Sequence, residues 1–153
     1  MQVVGFNLIK VKAERFPAPR EKIVINTNIE FLNVEKQKSE IVETDLAALS
    51  FKFTISYDTS EKPGEQKAEK SEKAGKRHGE ISFEGEIMIS VKEDELKSFL
   101  KSWKKKEIPK EYTILLYNFI LRKCSIRALQ LEEEIGLPSH LPFPQVRPRS
   151  EQQ

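Results

Sequence analysis

Cys124, the histidines His78 and His140, and the run Glu132-Glu133-Glu134 are the residues of this chain whose types could carry chemistry. A thiolate can attack an electrophile, an imidazole can hold a metal or move a proton, and neighbouring carboxylates can share acid–base work. Their spacing supports none of these. The histidines are far apart and neither has a Cys or Asp beside it at metal-ligand spacing, so both read as solvated loop residues. Cys124 falls on the apolar stripe of a predicted helix and reads as a small buried hydrophobe rather than a nucleophile. The three glutamates read as a solvated helix face. No glycine-rich phosphate loop, serine elbow or paired-carboxylate motif occurs. The expectation is a protein that is not an enzyme and uses neither metal nor cofactor.

The remaining chemistry is charge. Lys104, Lys105 and Lys106 follow Trp103, and Arg147 and Arg149 stand near the end of the chain. Such cations could meet phosphate. Trp103 also fits a helical apolar stripe, however, and the lysines suit the negative end of a helix dipole. Twenty-six Lys+Arg against 24 Asp+Glu leave a formal charge of +2, which is not the profile of a dedicated nucleic-acid binder. Nucleic acid is therefore not the expected partner.

Composition sets the frame that must position these residues. With 153 residues the chain suits one domain, taken as 1–148 with a tail at 149–153, and can bury a proper core. Charged residues reach 33% and apolar ones 38%, a Lys/Glu-rich balance that fits a heat-adapted cytosolic protein. A single cysteine excludes an internal disulfide framework and a cysteine-rich zinc site. No run approaches the ~18 apolar residues of a membrane span, and the N-terminus lacks a signal-peptide core. The chain is expected to be cytoplasmic, with no membrane insertion.

Four strands are expected. Residues 5–16 carry Ile9, Val11 and Ala13 on one side and Phe6 and Leu8 on the other, closed by Pro17 and Pro19. In residues 23–35, Ile23, Ile25, Thr27, Ile29 and Phe31 share one face. A polar turn at 36–44 leads to a strictly alternating strand at 49–57, and 80–91 repeats the pattern with Ile81, Phe83, Ile87, Ile89 and Val91 inward. Gly85 interrupts that apolar face and marks a bulge or a close approach. Residues 61–78 hold no large apolar side chain and read as a mobile charged loop with Lys73, Lys76, Arg77 and His78 at its tip.

After Lys92 the period becomes helical. Glu93, Asp94 and Glu95 suit a helix start, and Leu96, Phe99, Leu100 and Trp103 follow on one side. Pro109 opens a second helix over 110–135, about 39 Å long, and Gly136 and Pro138 stop it. Its expected stripe is Ile114, Tyr117, Leu121, Cys124, Ala128, Leu131 and Ile135. Leu115, Leu116, Phe119, Ile120, Ile126 and Leu129 spill outside it, more apolar surface than one sheet face covers. A second subunit is the simplest cover. The architecture is α+β: a four-stranded antiparallel sheet with a short and a long C-terminal helix packed on one face.

This order of parts, ending in Leu137-Pro138 through Phe143-Pro144-Gln145-Val146, resembles the SecB export chaperones, and it is also similar to small archaeal proteins related to SecB. Arg122-Lys123-Cys124 is similar to a stretch within the long helix of that family. The resemblance implies a SecB-like fold, a homo-oligomer (dimer or tetramer) joined through the long helix, and a chaperone role in protein transport. It further implies an ATP-independent holdase for unfolded polypeptides, bound in apolar grooves between sheet and helix. Phe6, Phe31, Trp103, Phe119 and Phe143 are the aromatics that would line such grooves. The chain departs from the markedly acidic SecB pattern in its net charge and in the insertion at 61–78. A non-enzymatic adaptor for one protein partner is the alternative reading.

Overall fold

The computed structural model describes residues 1–17, 22–41, 44–59 and 77–149. Six elements follow in order: β1 (Gln2–Arg15), β2 (Ile23–Lys38), β3 (Asp45–Thr59), β4 (Arg77–Val91), α1 (Glu93–Trp103) and α2 (Lys110–Ile135). The strands form one antiparallel sheet in the order β1-β4-β3-β2, so β1 and β2 are its edges among the described residues. Alternation in the central strands sets the core. Leu49, Phe51, Phe53, Ile55 and Tyr57 of β3 pair with Ile87, Gly85, Phe83, Ile81 and Gly79 of β4, and their side chains are fully buried under the helices. Ser50, Lys52, Thr54 and Ser56 lie on the other face and are half-buried. The expected α+β sheet-and-helix architecture is what the structure contains.

Three bulges re-phase the edge strands. The β1 register shifts between Val3 and Gly5 and between Leu8 and Lys10, and the β2 register shifts between Phe31 and Asn33. The skipped residues Val4, Ile9 and Leu32 are all exposed apolar side chains. A bulge inserts one unpaired residue and so reverses the alternation beyond it. Phe6 and Leu8 therefore share the core side with Val11 and Ala13, opposite Ile87, Gly85, Phe83 and Ile81, while Ile9 is 72% exposed. The expected split of this strand into two opposed apolar sets is corrected on that ground.

Gly85 itself stays in register, and the nearby bulge lies across from it in β1. A Cβ at Gly85 would sit 2.5 Å from the Asn7 carbonyl oxygen and 2.8 Å from Cζ of Phe51. Its bare backbone thus admits both the edge strand and the Phe51 ring. Phe6 stacks on Phe51 at 5.6 Å between centroids and meets Phe119 of α2 edge-on at 5.8 Å, joining sheet to helix.

Helix α1 begins where Glu95 Oε2 accepts the Lys92 backbone N–H at 2.9 Å, which satisfies one orphan donor, and it buries Leu96 and Phe99. Helix α2 starts after Pro109 and ends at Gly136, whose φ of 71° is the left-handed C-terminal stop expected of glycine. Its buried side is Leu116, Ile120, Cys124, Ala128 and Leu131. Ile114, placed on the inward stripe by spacing, is 72% exposed, and Leu121 is exposed as well. The first half of α2 is apolar on nearly all sides, so spacing there does not decide which side turns inward; the sheet does.

The expected loop at 61–78 falls outside the described residues as far as 76. Arg77 and His78 belong to β4, where Arg77 pairs with Asp58 and Glu80, so they are strand residues and not a loop tip. No helix among the described residues is long and apolar enough to cross a membrane.

Candidate peptide groove

Among the described residues, edge strand β2 has one row of backbone N–H and C=O groups without a strand partner, and the α1–α2 corner lies beside it. Between them runs a groove of about 660 Å³ lined by Ile29, Glu30, Phe31 and Leu32 on the strand and by Trp103, Ile108, Thr113 and Tyr117 on the helical side. A further hollow of about 470 Å³ continues along Thr27, Asn28, Ile29, Tyr117 and Leu121. Successive strand residues point to opposite faces. The contiguous run 27–32 therefore meets the groove through the strand's open edge and not through one face alone.

The floor is aromatic and apolar. Phe31 packs against Tyr117 with ring centroids 5.6 Å apart, and Phe31 is half-buried because β2 has sheet on one side only. Trp103 ends α1 and carries the Lys106 ammonium 4.9 Å above its ring. Lys106 is the one non-glycine residue with positive φ, 59°, among the described residues. The reversal it makes brings the polypeptide from α1 into α2 and turns the lysine back over the indole.

The five aromatics singled out by sequence are thus distributed. Phe31 and Trp103 line the groove. Phe6 and Phe119 pair with each other beneath β1, away from it. Phe143 is 59% exposed on the extended segment after α2. Tyr117 and Ile29 were legible as inward-facing residues of helix and strand, but nothing in their spacing marks the gap between them. Leu121, assigned to the helix stripe, lines the second hollow instead.

Two sequence readings of chemical residues change. Glu132 is 2% exposed and accepts hydrogen bonds from the Tyr57 hydroxyl and from the His140 backbone and ring, so neither Glu132 nor His140 is a solvated group. The Tyr57 phenol is pushed well above its ordinary range, first by burial and then by the Glu132 carboxylate. Glu133 and Glu134 do face solvent. Cys124 is buried and burial pushes its thiol up to about 12, which suits a packing residue. Among the described residues no group of three or more His, Cys, Asp or Glu could hold a metal.

Neither a protein-family model nor a curated protein matches the sequence. Among solved structures, the chain is similar to the Mycobacterium tuberculosis SecB-like chaperone Rv1957, solved in complex with a ChAD peptide from the Rv1956 HigA1 antitoxin. The TM-score is 0.50 at 13% identity, over 97% of this chain and 92% of that one. The fold is SecB-like. The likeness spans both layers, since nearly the whole of each chain is covered. In this SecB-like fold the groove occupies the seam between the open edge of the sheet and the helix layer.

Proposed function

We propose that this protein is an ATP-independent, non-enzymatic chaperone that holds unfolded or extended polypeptide in the groove beside β2. One observation carries the reading: an aromatic-lined groove runs along an unpaired strand edge. An extended segment needs main-chain partners and pockets for alternate side chains. The free edge of β2 supplies the first, and Phe31, Trp103 and Tyr117 supply the second. The peptide held by the SecB-like neighbour supports the same reading. The protein is proposed to act in the cytoplasm as a homo-oligomer.

The test is suppression of light scattering by a chemically unfolded client during refolding, at near-stoichiometric ratio and without nucleotide. Dose-dependent suppression that is weakened in Phe31→Ala and Tyr117→Ala supports the groove. A folded protein that suppresses nothing sinks the holdase reading. Because the neighbour was solved with the peptide of one antitoxin, an adaptor for a single protein partner is the second reading. One stoichiometric partner, bound without general affinity for unfolded chains, would favour it.

A further inference from the structure

We infer that the β2-edge groove selects, among extended peptides, those in which apolar or aromatic residues are flanked by acidic ones. The inference rests on the peptide-binding reading and adds to it the chemical class of peptide. The floor is apolar, but its helical rim is a cluster of cations. Lys106 and Lys110 line the groove, and Lys101, Lys104 and Lys105 stand beside them on the last turn of α1 and the corner after it. All five are exposed, and none is in an ion pair among the described residues. Lys97, one turn earlier, is already paired with Glu93 at 3.0 Å.

The opposing charges are fewer. Glu107 lines the groove and Glu111 follows Lys110 in α2. Glu30 reaches the groove through the strand edge, but it pairs in register with Lys52 on the sheet face opposite Ile29 and Phe31. The rim therefore keeps a positive balance.

A helix dipole alone accounts for cations after Trp103. It does not account for Lys106, which takes a left-handed conformation that glycine or asparagine adopts with less strain, and whose ammonium lies over the Trp103 ring. That placement puts a cation at the border of the aromatic floor. An apolar side chain bound on Phe31 and Trp103 would then carry its neighbours, one or two residues along an extended strand, past the lysine rim. Acidic neighbours gain there, basic ones are repelled, and the effect is screened by salt. A peptide is favoured over nucleic acid because the site is an apolar slot along a strand edge, built for main-chain pairing, on a chain of net charge only +2.

The experiment is fluorescence anisotropy with labelled peptides of one length and one phenylalanine-leucine core, flanked by glutamate, by serine or by lysine. A labelled single-stranded oligonucleotide is run beside them. Two or three exposed charge pairs predict roughly tenfold tighter binding of the glutamate-flanked peptide than of the lysine-flanked one at low salt. The gap should close at about 0.5 M salt. In the Lys101→Gln, Lys104→Gln, Lys105→Gln variant, whose altered residues stand beside the groove and do not line it, the gap should shrink to about threefold or less, while the serine-flanked peptide binds as before. The peptide series and its salt dependence on the unaltered protein stand without the variant. Equal affinities, or preference for the lysine-flanked peptide, overturn the acidic rule and leave peptide binding intact. Binding of none of the peptides overturns the peptide reading and this inference with it. Tighter binding of the oligonucleotide than of any peptide, with a steep salt slope, overturns the inference in favour of nucleic acid.

Discussion

His140 Nδ1 lies 2.6 Å from Glu132 Oε1, and both side chains are 2% exposed, so a carboxylate and an imidazole meet inside the protein just beyond the end of α2. The His140 backbone N–H also points at both carboxylate oxygens, at 3.2 and 3.3 Å, and the Tyr57 hydroxyl donates to Oε1 from β3. One buried carboxylate thus ties the segment after the helix to the sheet. Leu137, buried against Gly79, closes the same corner. A buried carboxylate is tolerated only when its lone pairs are occupied, and here three donors occupy them.

Removing the carboxylate leaves the Tyr57 hydroxyl and the His140 ring buried without their partner. Glu132→Ala is expected to cost about 2–4 kcal/mol in chemical denaturation, and Tyr57→Phe about 1–3 kcal/mol. Limited proteolysis should cut after residue 137 sooner in Glu132→Ala than in the unaltered protein. A loss below about 1 kcal/mol in Glu132→Ala would mean that the network is not holding the segment.

The same network sets an alkaline limit. The chain has three tyrosines, and two are held protonated: Tyr57 by burial and then Glu132, Tyr112 by desolvation and then its hydrogen bond to Glu95. A group whose acid form is favoured in the folded state binds more protons folded than unfolded at high pH. Its stabilisation is complete below the ordinary tyrosine value of 10.0 and is lost as pH rises above it. An ultraviolet titration should show the Tyr57 phenol ionising only as the protein unfolds. Ionisation of Tyr57 while the protein is still folded would contradict the buried pairing.

At the acid end the group to watch is Glu95. It accepts the Lys92 N–H and, at 3.1 Å, the Tyr112 hydroxyl, and these hold its carboxyl below the ordinary value of 4.5. A depressed carboxyl contributes stability above its unfolded value and loses it as pH falls towards the folded one. Denaturation midpoints of the unaltered protein should therefore fall between about pH 5 and pH 3 more than those of Glu95→Gln. Parallel curves would show that the cap does not couple folding to this proton.

Alternation was legible wherever one strand face is buried and the register is regular, which is why β3, β4 and most of β2 followed from the sequence. Bulges were not legible. Ile9 is as apolar as the core residues around it, and nothing in the types of Leu8, Ile9 and Lys10 says that Ile9 is skipped in the pairing. The phase of α2 was lost for a related reason: Leu115, Leu116, Phe119 and Ile120 fit more than one inward side, and only contact with the sheet selects Leu116 and Ile120. Glu132 was misread because a glutamate among glutamates carries no local sign of burial. Its partners Tyr57 and His140 are 75 and 8 residues away. The groove combines a legible half, Phe31 and Trp103, with a gap that only tertiary packing opens.

Gly85 offers a direct test of the edge-strand packing. A methyl group there would lie 2.5 Å from the Asn7 carbonyl and 2.8 Å from the Phe51 ring, closer than real side chains approach. The carbonyl belongs to a paired strand and cannot swing away cheaply. Gly85→Ala is expected to destabilise by about 1–3 kcal/mol, despite the better strand propensity of alanine. An unchanged denaturation midpoint would show that β1 is held less closely than the structure has it.

The outer side of α2 leaves Leu115 53% and Ile126 59% exposed, three turns apart, with Ile114 also open to solvent. A run of this kind along one helix is costly in water and is a ready subunit contact. If a second copy covers it, light scattering should give a mass above that of the 17.7 kDa chain. Leu115→Glu with Ile126→Glu should then return the mass to a monomer with unchanged far-ultraviolet dichroism, because neither residue belongs to the core. A monomer in the unaltered protein at tens of micromolar would exclude a subunit interface there. Dissociation that leaves aggregation suppression intact would separate assembly from the groove, since Phe31 and Trp103 lie between β2 and the helix corner within one chain.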